Sequence, residues 1–90
     1  MSQIHLIYSG QVQGVGFRHS VKQLAKLLPI TGWVRNNPNG TVEVVAEGSD
    51  KDLESFVLRI SQSHLQNYIE DVEKSWEKAI KSYTKFSVIP

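Results

Sequence analysis

The sequence predicts an α+β fold, a two-layer sandwich with two helices on one face of an antiparallel-rich sheet. Three observations carry this. The hydrophobic period alternates between two and 3.6 in the order β-α-β-β-α-β, with one further strand at the end. A single turn signal, Asn37-Pro38-Asn39-Gly40, joins the second and third strands as a hairpin. The 90 residues, 40% hydrophobic, suit one domain over 1–90 with a modest core.

The elements follow in order. Ile4, Leu6 and Tyr8 alternate with His5, Ile7 and Ser9, as in a strand; Ile7 adds apolar surface to its second face, so the strand is expected to be well buried. Gly10 to Gly16 is a glycine-rich loop. Phe17, Val21, Leu24, Ala25 and Leu28 then share one helical face, and Pro29 stops the helix at about Leu28. Gly32 to Asn36 is the second strand and Thr41 to Glu47 the third. Val42, Val44 and Ala46 take one face of the third strand; Thr41, Glu43, Val45 and Glu47 take the other. Ser49 caps the second helix, with Asp50 and Asp52 where the dipole favours them, and Leu53, Phe56, Val57 and Ile60 form its buried stripe. Residues 68–76 and 83–89 are expected strands; Ile69, Val72 and Trp76 break the two-residue period, which suggests a bulge or an edge.

This order is the split βαβ, or ferredoxin-like, arrangement. The first two strands run parallel with the third between them. Their ends lie on the order of 10 Å apart at one edge, which brings Arg18 and Asn36 into one neighbourhood.

Charge points to the same place. The formal net charge is only +1, against a general nucleic-acid binder, but residues 1–42 hold four basic residues and no Asp or Glu. All nine acids lie in 43–90. An acid-free first half suits an anion, although chance clustering gives the same pattern. Gly10, Gly14 and Gly16 open backbone conformations in which N–H groups can hold an oxyanion, and the following helix adds its unpaired N–H groups. Arg18 sits in the first turn, where a cation costs about 0.3–1 kcal/mol; a bound phosphate reverses that penalty. A plain strand–helix turn with Arg18 in water fits the same residues. The glycine spacing matches neither a dinucleotide fingerprint nor a P-loop.

Other chemistry is disfavoured. There is no cysteine, so disulfides and thiolate metal sites are excluded, and a reducing cytoplasm suits the chain. No signal peptide or apolar run of membrane length is read. His5, His19 and His64 share no ligand spacing, so no metal is expected. Ser9, Ser20 and Ser49 lack His/Asp partners in register. Trp33, Trp76, Phe56 and Phe86 are read as core. Lys74, Lys78, Lys81 and Lys85 are read as a solvated face.

Gly10-Gln11-Val12-Gln13-Gly14-Val15-Gly16-Phe17-Arg18 resembles the signature of the acylphosphatase family. Gly32-Trp33-Val34-Arg35-Asn36 resembles its second signature, and Asn39-Gly40-Thr41-Val42-Glu43-Val44 the hairpin that follows. The resemblance covers about residues 4–60. It implies a single acylphosphatase-like domain that hydrolyses acyl phosphates to a carboxylate and phosphate without a cofactor. The family's catalytic arginine falls on Arg18, to bind the phosphoryl group, and its catalytic asparagine on Asn36, to position the attacking water. The loop backbone at Gln13, Gly14, Val15, Gly16 and Phe17 would complete the phosphate cradle, with Trp33 and Arg35 as supporting residues. His19 stands where a larger aromatic or apolar residue is expected, and reads as a surface histidine or a contributor of charge to the phosphate site.

The expected partners are a small acyl phosphate and inorganic phosphate or other anions, with no nucleic acid, no membrane, and a free-standing cytoplasmic monomer. The competing reading is a non-catalytic anion-binding or regulatory module on the same fold, including such a domain inside a larger maturation protein. An RNA-binding sheet is disfavoured because neither face of the third strand carries an aromatic ring.

Overall fold

Ile4, Leu6 and Tyr8 are buried while their neighbours His5 and Ile7 are only half-buried, so the first strand turns one face to a core and one outward. The computed structural model describes residues 1–80 and 82–90. Lys81, read with three other lysines as a solvated face, lies outside the described residues; Lys74, Lys78 and Lys85 are exposed. The strands are β1 (Ser2–Gly10), β2 (Thr31–Asn36), β3 (Val42–Gly48), β4 (Ile69–Lys78) and β5 (Phe86–Ile89). The helices are α1 (Phe17–Ala25) and α2 (Asp50–Gln62), and a 3₁₀ turn spans His64–Tyr68.

The sheet order is β4-β1-β3-β2-β5. β3 lies between β1 and β2 and is antiparallel to both, as the split βαβ arrangement requires. Strand residues Ile4, Leu6, Tyr8, Val34, Val42, Val44 and Ala46 meet Phe17, Val21, Ala25, Leu53, Phe56 and Ile60 from the helices in one buried cluster. Each of the Val, Leu, Ile and Phe side chains among them contributes about 1.5–3 kcal/mol on leaving water, so this layer supplies the main driving force. No helix among the described residues is long and apolar enough to cross a membrane.

Local signals shaped the ends of the elements. Ser49 caps α2 by accepting from the Asp52 N–H at 3.1 Å. The Asn37–Gly40 turn closes with Gly40 N–H donating to the Asn37 carbonyl at 3.1 Å. The broken period over Ile69, Val72 and Trp76, read as a bulge or an edge, is both: β4 is an edge strand, and Ser9 faces Asp71 while Gly10 faces Ile69, so Glu70 is the extra residue.

The sheet is antiparallel-rich as expected: β1–β3, β1–β4 and β2–β3 pair antiparallel, while β5 joins the edge parallel to β2. Other expectations are corrected. α1 ends at Ala25, not Leu28: Leu27 and Leu28 donate to Leu24 and Ala25, three residues back, in a tightened turn before Pro29. Ile7 does not close the second face of β1, because it lies between Glu43 and Glu73, whose strands leave that face to solvent. Trp76 is not core: it is 45% exposed, because β4 is an edge strand that the helix layer does not fully cover. Trp33 is half-buried on the outer face, whereas Phe56 and Phe86 are buried and meet edge to face at 5.8 Å. Glu47 is buried as well, accepting from Gln3 Nε2 at 2.9 Å and from the Ile80 N–H at 2.8 Å.

Candidate active site

The loop leaves β1 with fully buried Val12 and re-enters the core with buried Phe17, whose ring lies 5.3 Å from that of Tyr8. Between these anchors, Gly14 and Gly16 hold φ of 78° and 76°, a left-handed backbone that glycine adopts without steric cost. Gly16 is the N-cap of α1, and no side chain among the described residues caps that end. The first helical bond runs from Ser20 N–H to the Gly16 carbonyl at 3.0 Å. The N–H groups of Phe17, Arg18 and His19 precede it and are left for another acceptor.

Arg18 projects from this first turn and is half-buried. Its Nη1 donates to the Ile89 carbonyl on β5 at 3.0 Å. Asn36 ends β2, opposite Val42 in the hairpin register. Its Oδ1 is buried and accepts no hydrogen bond among the described residues. A buried acceptor left unpaired costs roughly 1–3 kcal/mol.

Arg18 and Asn36 line one pocket of about 420 Å³. Gly14, Gly16, Phe17 and His19 form its loop and helix side, and Val12, Val88 and Pro90 an apolar side. No Asp or Glu is among the lining residues. Arginine, helix N–H groups and an unused amide oxygen therefore share a cavity with an apolar wall. Such a cavity can hold a tetrahedral oxyanion against the helix start and an uncharged group against the wall.

Other side chains singled out from the sequence point away from the pocket, His19 excepted. Val15 packs against the core, and the Gln13 side chain turns to the hairpin. Arg35 sits on the outer face of the sheet, donating to Glu43 Oε1 through Nε at 3.1 Å and Nη2 at 2.9 Å, with its guanidinium 4.9 Å from the Trp33 ring. Glu43 also meets His5 Nε2. Burial alone raises the Glu43 pKa, but hydrogen bonds from His5 and Arg35, with their charges, more than offset it, so the carboxyl lies below the usual range. Trp33 Nε1 donates to the Tyr83 hydroxyl at 3.3 Å. His64 lies 3.4 Å from Ser20 Oγ, on another surface from His5. His19 is exposed at the pocket's edge.

Residue-level reading missed Val88, Pro90 and the Ile89 carbonyl. Their one sequence signal was the apolar ending Phe86-Ser87-Val88-Ile89, which marks a strand without saying which strand it joins.

Comparison with known proteins gives one answer from sequence and from structure. The Acylphosphatase family model matches residues 4–88. A Methanospirillum hungatei acylphosphatase is 54% identical over 63 residues, 70% of this chain and 69% of its own. The crystal structure of acylphosphatase from Bacillus subtilis superposes with a TM-score of 0.92 at 33% identity, covering 100% of both chains. Full-length HypF, in its phosphate- and nucleotide-bound form, matches at TM-score 0.85 and 30% identity, with 100% of this chain covering 12% of that one. The fold, the two sequence signatures and these relatives together establish that the chain belongs to the acylphosphatase family.

Proposed function

We propose that this protein hydrolyses the carboxyl–phosphate bond of small acyl phosphates, with Arg18 binding the phosphoryl group and Asn36 positioning the attacking water. One observation carries the assignment: Arg18, at an uncapped helix start, and Asn36, with an unused buried acceptor, line the same pocket. The loop backbone from Gln13 to Phe17 completes the cradle.

The chemistry suits these groups. Guanidinium and N–H donors meet phosphoryl oxygens, and their charge complementarity persists as negative charge shifts in the transition state. An acyl phosphate has a good leaving group, and a loose transition state needs little covalent help, so positioning does most of the work. A water donating to Asn36 Oδ1 satisfies that acceptor and is held for attack on phosphorus. As the water's oxygen bonds to phosphorus, the phosphorus–oxygen bond to the carboxylate breaks, and the water's proton passes to a phosphate oxygen. No lining side chain is a carboxylate, and we assign the role of base to the substrate's own phosphate. The same lack of Asp and Glu side chains removes the usual protein holders of Mg²⁺, leaving phosphate charge to Arg18 and the loop. The apolar wall of Val12, Val88 and Pro90 suits the acyl group.

A chain without cysteine suits a reducing compartment, and we place the protein in the cytoplasm as a monomer. A second reading, a non-catalytic anion-binding module, draws on HypF, where this fold is about an eighth of a larger chain. Turnover of a small acyl phosphate separates the two. Arg18→Gln and Asn36→Ala should each lower kcat/KM by about 10²–10³-fold with unchanged circular dichroism. Wild-type rates in both variants would sink the site assignment, and no turnover by the wild type would favour the binding module.

A further inference from the structure

The phosphate loop and the Asn36 hairpin are 24 positions apart, yet one side chain joins them. Gln13 Nε2 donates to the Asn37 carbonyl at 2.8 Å and to the Thr41 carbonyl at 3.0 Å. Those carbonyls close the hairpin turn: Gly40 N–H donates to the first at 3.1 Å and Asn37 N–H to the second at 2.9 Å. Asn37 Nδ2 adds a bond to Thr41 Oγ1 at 3.0 Å, and Asn39 Oδ1 accepts from the Thr41 hydroxyl at 2.7 Å. The turn after Asn36 is thus internally braced, and Gln13 fastens the loop to that brace.

The loop needs such a fastening. Gly14 and Gly16 carry no side chain, and among the described residues nothing lies within 4 Å of where a Cβ would stand at either. Two glycines in open space give the loop no side-chain packing of its own that would set its position against the hairpin. Val15 packs the middle of the loop against the core, but that contact is non-directional and sets no register toward Asn36. The Gln13 amide makes two directional bonds on the hairpin side.

We infer that Gln13 is a positioning residue: its side-chain amide holds the loop in register with the hairpin, and so fixes Arg18 and the cradle relative to Asn36. This rests on the assignment of Arg18 and Asn36 to the reaction. A misplacement of about 1 Å between reacting groups costs as much as 10²-fold in rate. Phosphate binding uses the loop and Arg18 alone, whereas turnover also needs Asn36. Loss of the tie should therefore act on kcat and spare phosphate affinity.

The test uses the full chain with three substitutions. Gln13→Ala removes the donor, Gln13→Glu keeps the shape but sets a carboxylate against two carbonyls, and Gln13→Lys restores a donor. Each is assayed for kcat and KM on a small acyl phosphate, for competitive inhibition by inorganic phosphate, and for circular dichroism, beside Asn36→Ala. The expected result is a kcat at least tenfold lower in the Ala and Glu variants, with KM and the phosphate inhibition constant within about threefold of wild type and kcat largely recovered in the Lys variant. An unchanged kcat in Gln13→Glu would overturn the inference. So would a loss of kcat matched by equal loss of phosphate affinity or of folded protein. If Asn36→Ala itself keeps wild-type turnover, the site assignment fails first. If it is inactive while Gln13→Glu is not, only the role of Gln13 fails.

Discussion

The Nη1 of Arg18 donates to the backbone carbonyl of Ile89 at 3.0 Å, so the arginine at the start of the first helix is aimed by the last strand. The carbonyl occupies one donor and leaves the remaining guanidinium N–H groups for a phosphoryl oxygen pair. The aim of Arg18 then depends on how firmly β5 is docked.

Phe86 does much of that docking, buried at the start of β5 against Phe56. Phe86→Ala should destabilise the fold by roughly 3–5 kcal/mol, read by urea denaturation. Its residual folded fraction should also turn over acyl phosphate more slowly per folded molecule. Full specific activity per folded molecule would show that β5 does not aim Arg18.

The rate should carry no protein group titrating near neutrality. The proposed mechanism asks no protein group to give or take a proton, and the base is assigned to the substrate. In kcat/KM against pH from 5 to 8, any limb should follow the ionisation of the substrate. His19, whose imidazole is at the pocket, is the competing candidate for the base. A limb that disappears in His19→Gln would transfer the proton step to the protein.

Glu43 makes stability depend on acid. Its carboxyl is held below the ordinary value of 4.5 by His5 and Arg35, so near and below that value the unfolded chain binds more protons than the folded one. Its contribution is present above the unfolded pKa and is lost as pH falls through the folded pKa. Wild type should therefore lose stability more steeply between pH 5 and 3 than Glu43→Gln, measured by urea midpoints. Parallel pH dependences would remove Glu43 from the account.

Tyr8 offers a gain. Its hydroxyl is buried without a partner among the described residues, and burial pushes its pKa far above the ordinary phenol value. The oxygen adds desolvation cost and no bond, so Tyr8→Phe should stabilise the protein by about 1 kcal/mol while keeping the packing on Phe17. A lower thermal midpoint in the Phe variant would mean that the hydroxyl is satisfied in solution.

Much was legible in the sequence because it is local. The period of two around Ile4–Tyr8, the helical stripe from Phe17, the Ser49 cap and the Asn37–Gly40 turn each depend on residues within a few positions of one another. The split βαβ order then places the ends of β1 and β2 at one edge with a single strand between them, which sufficed to set Arg18 near Asn36. Only the tertiary structure decided the parallel pairing of β5 with β2, the exposure of Trp76, the burial of Glu47, the carbonyl on Arg18 and the amide tie from Gln13. Strand partners are chosen by competition among distant backbone bonds against loop-closure entropy, and a strand's own period carries no record of its neighbours or of which edge goes uncovered. The same holds for single polar contacts: Gln13 has donors in any fold, and only this one sets two carbonyls in front of them.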